Sequence, residues 1–183
     1  MDKTNWNELR DRAYKIACDH GFHEGNESKE TALMLVITEL SEAVNSDRIG
    51  RLAHKDAFNA RMKDADEFDF QSDFNELIKD SVEDELADTV IRLLDYSGMK
   101  KINLFKYRIE FTSKKNKKKI EKYSFTKFCF YCCSMLTQYL EIIDVVISVI
   151  YCFCELHNID LIWHIEQKMK YNELRPYKNG KKY

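Results

Sequence analysis

Glu39 and Glu42 stand three residues apart in Leu35-Val36-Ile37-Thr38-Glu39-Leu40-Ser41-Glu42. Glu85 and Asp88 repeat the spacing in Glu83-Asp84-Glu85-Leu86-Ala87-Asp88-Thr89-Val90-Ile91. In a helix, residues three apart lie on one face, one turn above each other. Each pair therefore aims two carboxylates the same way, beside an apolar stripe. Two such helices packed together would gather four carboxylates into one pocket. Like charges that close do not all stay ionised without a counter-charge. A divalent metal is the usual solution, and Mg²⁺ takes hard oxygen ligands. The plain alternative is a solvated helix face, because Glu is common on exposed helices.

A second constellation lies near the C-terminus, where Lys168, Tyr171, Asn172 and Arg175 share one helix face. Lys168 supplies a point charge and Arg175 a planar fork that fits phosphate oxygens. Asn172 can orient a phosphate or a base edge, and Tyr171 can stack or pack. Set opposite a metal held by carboxylates, such cations would neutralise a polyphosphate from its other side. Phosphoryl chemistry asks for that positioning and charge stabilisation more than for covalent help, and a metal-bound water is a ready nucleophile.

The elements that must position these residues read as helices. Gly occurs five times and Pro once, at Pro176, while apolar residues recur at helical spacing, so the fold class expected is all-α. Five helices are expected. The first spans about 4–20, with Thr4 as N-cap and Gly21 as its stop. The second follows Ser28 to about Asp47, with Leu33, Val36, Ile37, Leu40 and Val44 as its core stripe. The third runs from near Asp73 to Ser97-Gly98, with Glu85, Asp88, Arg92 and Asp95 as a polar stripe beside Leu86, Val90, Leu93 and Leu94. The fourth covers about 125–156 and the fifth runs from near Asp160 to before Pro176. The length suits one domain over 1–183. A polar, partly helical and mobile insertion is expected at 48–74, and a basic connecting segment at 99–123.

Charge is high but nearly balanced, at a net −2, so no membrane and no stable nucleic-acid partner is expected. The start Met1-Asp2-Lys3-Thr4-Asn5 runs into a charged amphipathic helix, and the apolar run Ile142–Cys154 is short and broken by Asp144. A cytoplasmic protein with reduced thiols is expected. Cys129 and Cys132 form a C-x-x-C, yet they sit among Phe128, Phe130 and Tyr131 without turn residues. They read as small buried hydrophobes rather than zinc ligands. The run Lys114–Lys119 reads as a solvated face, with an electrostatic lure for an anionic substrate as the lesser reading. Glu141 and Asp144 echo Glu85 and Asp88 and stand as reserve ligands. No His follows a Glu by three residues, as a di-iron bundle wants, and there is no His-Asp dipeptide or P-loop.

The order of E-x-x-E on one helix and E-x-x-D on the next resembles the MazG-like, all-α nucleoside triphosphate pyrophosphohydrolases. So do Ile159-Asp160-Leu161 and the ending Lys168-Met-Lys-Tyr171-Asn172-Glu-Leu-Arg175-Pro176-Tyr177-Lys178-Asn179-Gly180. The resemblance covers residues 27–47, 80–98 and 157–183. Thr38 stands where the family often has a further Glu, and Asn179 where a His is usual.

This resemblance implies Mg²⁺-dependent cleavage of a nucleoside triphosphate to a monophosphate and pyrophosphate, with Mn²⁺ able to replace Mg²⁺. It implies Glu39, Glu42, Glu85 and Asp88 as metal ligands, with Glu42 or Glu39 also orienting the water as base. Lys168, Tyr171, Asn172 and Arg175 become the substrate-binding set, in a homodimer or homotetramer. The competing expectation, motivated by Thr38 and Asn179, is a non-catalytic helical interaction protein.

Overall fold

The computed structural model describes residues 4–25, 28–63, 66–104, 114–138 and 143–180. Among these there are nine α-helices, one short 3-10 helix and no strand, so the all-α expectation holds. The helices are α1 (Trp6–Asp19), α2 (Lys29–Ile49), α3 (Lys55–Arg61), α4 (Glu67–Leu77), α5 (Val82–Met99), α6 (Lys114–Ile120), α7 (Phe125–Gln138), α8 (Ile143–Leu156) and α9 (Leu161–Glu173). A 3-10 turn at Tyr177–Gly180 follows.

Helix α5 is the centre of the molecule, and α1, α2, α8 and α9 all pack on it. Twelve of its residues are buried, including Leu86, Val90, Leu93 and Leu94. Helix α2, packed on α5 and also on α7, buries Val36, Glu39, Leu40, Ala43 and Ser46. That seam differs from the expected stripe: Leu33, Ile37 and Val44 are only partly buried and lie at its margin. Two bonds fix the register of α2 on α5. Ser46 Oγ donates to Asp80 O at 2.8 Å, and Val82 N donates to Arg51 O at 3.0 Å. Helix α1 approaches α5 closely at Gly98, where an added Cβ would lie 2.4 Å from Tyr14 Cβ. Gly98 is therefore a packing residue inside α5, which continues to Met99, rather than a helix stop.

Caps explain most boundaries. Ser28 Oγ accepts from Thr31 N, and Asp160 Oδ1 accepts from Trp163 N, as N-cap residues do. At α1 the cap is Asn5, whose side chain accepts from Glu8 N, and not Thr4. Gly21 follows α1 at φ 78°, the left-handed conformation that Gly adopts without a Cβ penalty.

Two expected helices are divided. The span from Asp73 to Gly98 breaks at Ile78–Ser81, where Asp80 adopts φ 59° and Ser81 caps α5. The span 125–156 is a hairpin of α7 and α8, joined through 139–142 outside the described residues. Phe128 and Phe153 stack at 3.9 Å. In one straight helix they would stand about 37 Å apart.

The 48–74 segment contains α3 and most of α4. Its Phe58, Phe70 and Phe74 form a second apolar cluster with Leu77, Ile78 and Tyr171. Phe68 is exposed. Among the described residues no single helix is long and apolar enough to cross a membrane.

Candidate acidic site at the α2–α5–α9 junction

Glu39 enters from the buried seam of α2, and Glu85 and Asp88 come from successive turns of α5. Each offers a carboxylate oxygen within 4.8 Å of the other two. Three of the four expected ligands thus converge. Glu42 does not: its side chain is exposed, one turn along α2, outside that group. Asp80, Asp84 and Glu85 make a second group at the same spacing. Asp144 belongs to neither; it sits in the first turn of α8 and accepts from Val145 N. Glu141 and the side chain of Asn179 lie outside the described residues.

Asp84 is the residue that the sequence reading missed. It is fully buried at the start of α5 and accepts from Asp80 N at 3.0 Å. Its available signal was Ser81-x-x-Asp84, the spacing at which a helix cap meets an acid one turn on. Lys168 reaches it from α9: Nζ donates to Asp84 Oδ2 at 2.8 Å and lies 3.2 Å from Asp88 Oδ2. On the other side, Arg92 Nε donates to Glu39 Oε1 at 3.0 Å. The cluster carries its own counter-ions.

Those counter-ions do not balance it. Glu39, Asp84, Glu85 and Asp88 face Lys168 and Arg92, which leaves two negative charges uncompensated. Without a dication, protons make up the deficit. Desolvation, reinforced by Asp88, raises Glu39 to about 7 in spite of Arg92. Desolvation raises Glu85 to about 9 in spite of Lys168, with Asp84, Asp88 and Glu39 adding to the shift. Desolvation likewise lifts Asp84 to about 6. Asp88 is different: burial works against its charge, but Lys168 and Arg92 outweigh burial and hold it below the usual carboxylate range. Burial also works against the Lys168 ammonium, and Asp88 and Asp84 overcome it, so Lys168 stays charged.

The donor set fits a hard dication. It consists of carboxylate oxygens, burial raises the pKa of Glu85 and Glu39 where a dication would favour their charged forms, and Asp84 Oδ1 is buried with no hydrogen-bond partner among the described residues.

A small cleft of about 60 Å³ opens beside Asp88, lined by His20, Arg92, Asp95, Asn172 and Arg175 among others. Asn172 Oδ1 is buried with no hydrogen-bond partner among the described residues. Two members of the expected substrate-binding set, Asn172 and Arg175, therefore reach the cleft. The other two do not. Lys168 is spent within the cluster. Tyr171 turns away, stacks on Phe74 at 4.4 Å and donates its hydroxyl to Asn75 Oδ1 at 2.8 Å. The C-terminal segment is tied to His20 and Glu24 beside the cleft. Lys178 N donates to His20 O at 3.0 Å, the His20 ring lies 3.0 Å from Arg175 O, and the Tyr177 hydroxyl bonds Glu24.

Cys129 and Cys132 of the C-x-x-C are buried, as expected for small apolar groups, while Cys133 is half-buried and Cys18 exposed. Cys129, Cys132 and Cys154 are buried free thiols, and burial pushes Cys129 up to about 12. Comparisons with protein-family models, with curated proteins and with solved structures find no match to this chain.

Proposed function

We propose that this chain is a Mg²⁺-dependent nucleoside triphosphate pyrophosphohydrolase. The observation that carries the reading is the convergence of Glu39, Glu85 and Asp88 from two helices, next to a cleft that presents Asn172 and Arg175. Glu39, Glu85 and Asp88 would hold the ion, which when bound lowers the pKa of a water and neutralises phosphate charge. Arg175 offers a fork for phosphate oxygens at the open side of Asp88, and Asn172 offers an unpaired acceptor to a sugar or base donor. Lys168 and Arg92 keep Asp88 ionised and hold the carboxylates in place, so the site is organised before ligand arrives. A position for Glu42 in this scheme is as an outer carboxylate that orients water, since it lies outside the buried group.

At about 60 Å³ the cleft is far smaller than the roughly 300–1,000 Å³ of a ligand pocket. Nucleotide entry therefore requires the cleft to widen, and the contact between His20 and Arg175, both of which line it, is one that would give way. A homodimer or homotetramer would complete the site from outside, and the exposed Met34 and Glu42 on α2 offer a face for it.

The test is pyrophosphate release by Glu85→Gln and Glu42→Gln beside the parent chain. Loss of Mg²⁺-dependent release in Glu85→Gln, with helical content retained, is expected. Full activity in both variants would end the assignment. A non-catalytic interaction protein is the second reading, favoured by the internal pairing of Lys168 and Arg92 with the acids; it expects neither Mg²⁺ binding nor turnover.

A further inference from the structure

The chain's small net charge hides a strong local one. Residues 114–131 hold seven lysines and one acid, Glu121, a local charge of +6 in a chain that totals −2. The segment folds as α6, a short turn and the first half of α7, which brings the described Lys117, Lys118, Lys119, Lys122 and Lys127 onto neighbouring turns of chain. Lys118, Lys119, Lys122 and Lys127 are exposed. Of the described lysines in this stretch only Lys117 meets a carboxylate, Glu155 at 3.3 Å.

Aromatic rings are interleaved with these cations. Lys119 Nζ lies 5.1 Å from the Tyr131 ring and Lys127 Nζ 4.5 Å from the Tyr123 ring. The two tyrosines meet edge to face at 5.7 Å. Phe130, next to Tyr131 in sequence, is 75% exposed, among the most exposed large apolar side chains of the described residues. An exposed Phe leaves free the apolar area whose burial against a partner would be favourable. Lysines that meet phosphates, with rings that meet base faces, are the working parts of single-strand recognition.

We infer that the α6–α7 face binds single-stranded nucleic acid. Lys118, Lys119, Lys122 and Lys127 meet the phosphates, and Phe130 stacks on a base. Duplex would leave Phe130 unused, because its bases are already stacked. An anionic membrane fits less well. Of the other apolar residues of α7, Phe128, Cys129, Cys132, Met135 and Leu136 are buried and Phe125, Tyr131 and Cys133 pack half-buried against the core, so Phe130 has no exposed apolar neighbours on the helix to insert with it. No residue of this surface lines the acidic cleft, and the inference stands independently of the proposed hydrolysis.

The probe is a fluorescein-labelled, mixed-sequence oligonucleotide about 20 nucleotides long, read by anisotropy with the full chain. Four phosphate contacts predict an affinity that falls about 50-fold between about 50 and 200 mM KCl. The double variant Lys118→Glu/Lys122→Glu should reduce the salt slope by about half. Phe130→Ala should weaken binding about tenfold and leave the slope unchanged, the signature of a lost stacking contact. All three side chains are exposed, and circular dichroism checks that the variants fold. No binding at about 100 µM protein and low salt would overturn the inference. So would binding in which Phe130→Ala has no effect, or binding to phosphatidylserine vesicles that the oligonucleotide does not compete.

Discussion

Lys168 on α9 donates to Asp84 on α5 across 2.8 Å, and both side chains are almost wholly withdrawn from solvent. The pair joins the C-terminal helix to the central one at the point where the acidic residues gather. It also explains why Lys168 is not a free phosphate contact. Removing one partner of a buried pair leaves a charge without compensation, which typically costs about 3–5 kcal/mol. Lys168→Met is therefore expected to lose about that much stability in urea denaturation. Lys168→Met/Asp84→Asn should recover part of the loss. A single variant within about 1 kcal/mol of the parent would contradict the pairing.

Glu85 allows a cleaner separation of stability from metal binding. With its pKa raised to about 9 by desolvation, it is neutral at pH 7, so Gln is close to isosteric and isoelectric with it. Glu85→Gln is expected to change the unfolding free energy by less than about 1 kcal/mol while removing most of the thermal stabilisation by Mg²⁺. An unchanged Mg²⁺-induced shift in melting temperature would show that Glu85 is not a ligand.

His164 predicts an acid limb to stability. It is 3% exposed, its Nδ1 has no partner among the described residues, and desolvation, with Lys55 adding, lowers its pKa to about 4. The unfolded chain titrates near 6.5 and so binds more protons between about 4 and 6.5, which makes stability rise with pH across that window. As pH falls through it, about 3 kcal/mol is lost at this one residue. His164→Leu should remove that contribution. Identical acid limbs for the variant and the parent would refute it.

The cluster under α9 should matter to the site at a distance. Phe74 is fully buried and stacks on Tyr171, between Lys168 and Arg175 in sequence. Phe74→Ala is expected to cost about 3–5 kcal/mol, as large core truncations do. It should also raise hydrogen exchange in the last turns of α9, from which Asn172, and Arg175 just beyond, reach the cleft. Protection there equal to the parent's would show that Phe74 does not support this face.

The helical class was legible because so few glycines and prolines interrupt the apolar periodicity, and Ser28 and Asp160 mark two helix starts without ambiguity. The break before α5 was not legible, because Asp80 takes a left-handed conformation that no Gly announces. The α7–α8 hairpin was hidden for a similar reason: Tyr139-Leu140-Glu141-Ile142 contains no breaker.

At the site, spacing identified Glu39, Glu85 and Asp88, since periodicity reports which face a side chain shares. It could not report depth. Glu42 shares Glu39's face closely enough to look equivalent, yet only Glu39 lies in the α2–α5 seam. Arg92 was visible as part of a polar stripe, but its role as counter-ion to Glu39 depends on how two helices register. The pairing of Asp84 with Lys168, 84 residues away, depends on the same kind of tertiary fact.

The most direct test is pyrophosphate release from a panel of ribo- and deoxyribonucleoside triphosphates, with Mg²⁺ and with EDTA. EDTA-sensitive release from one or a few nucleotides is the predicted result, and it would name the substrate at once. Silence across the panel, with no Mg²⁺ binding by calorimetry, would contradict the account and leave the acidic cluster as a buried structural network.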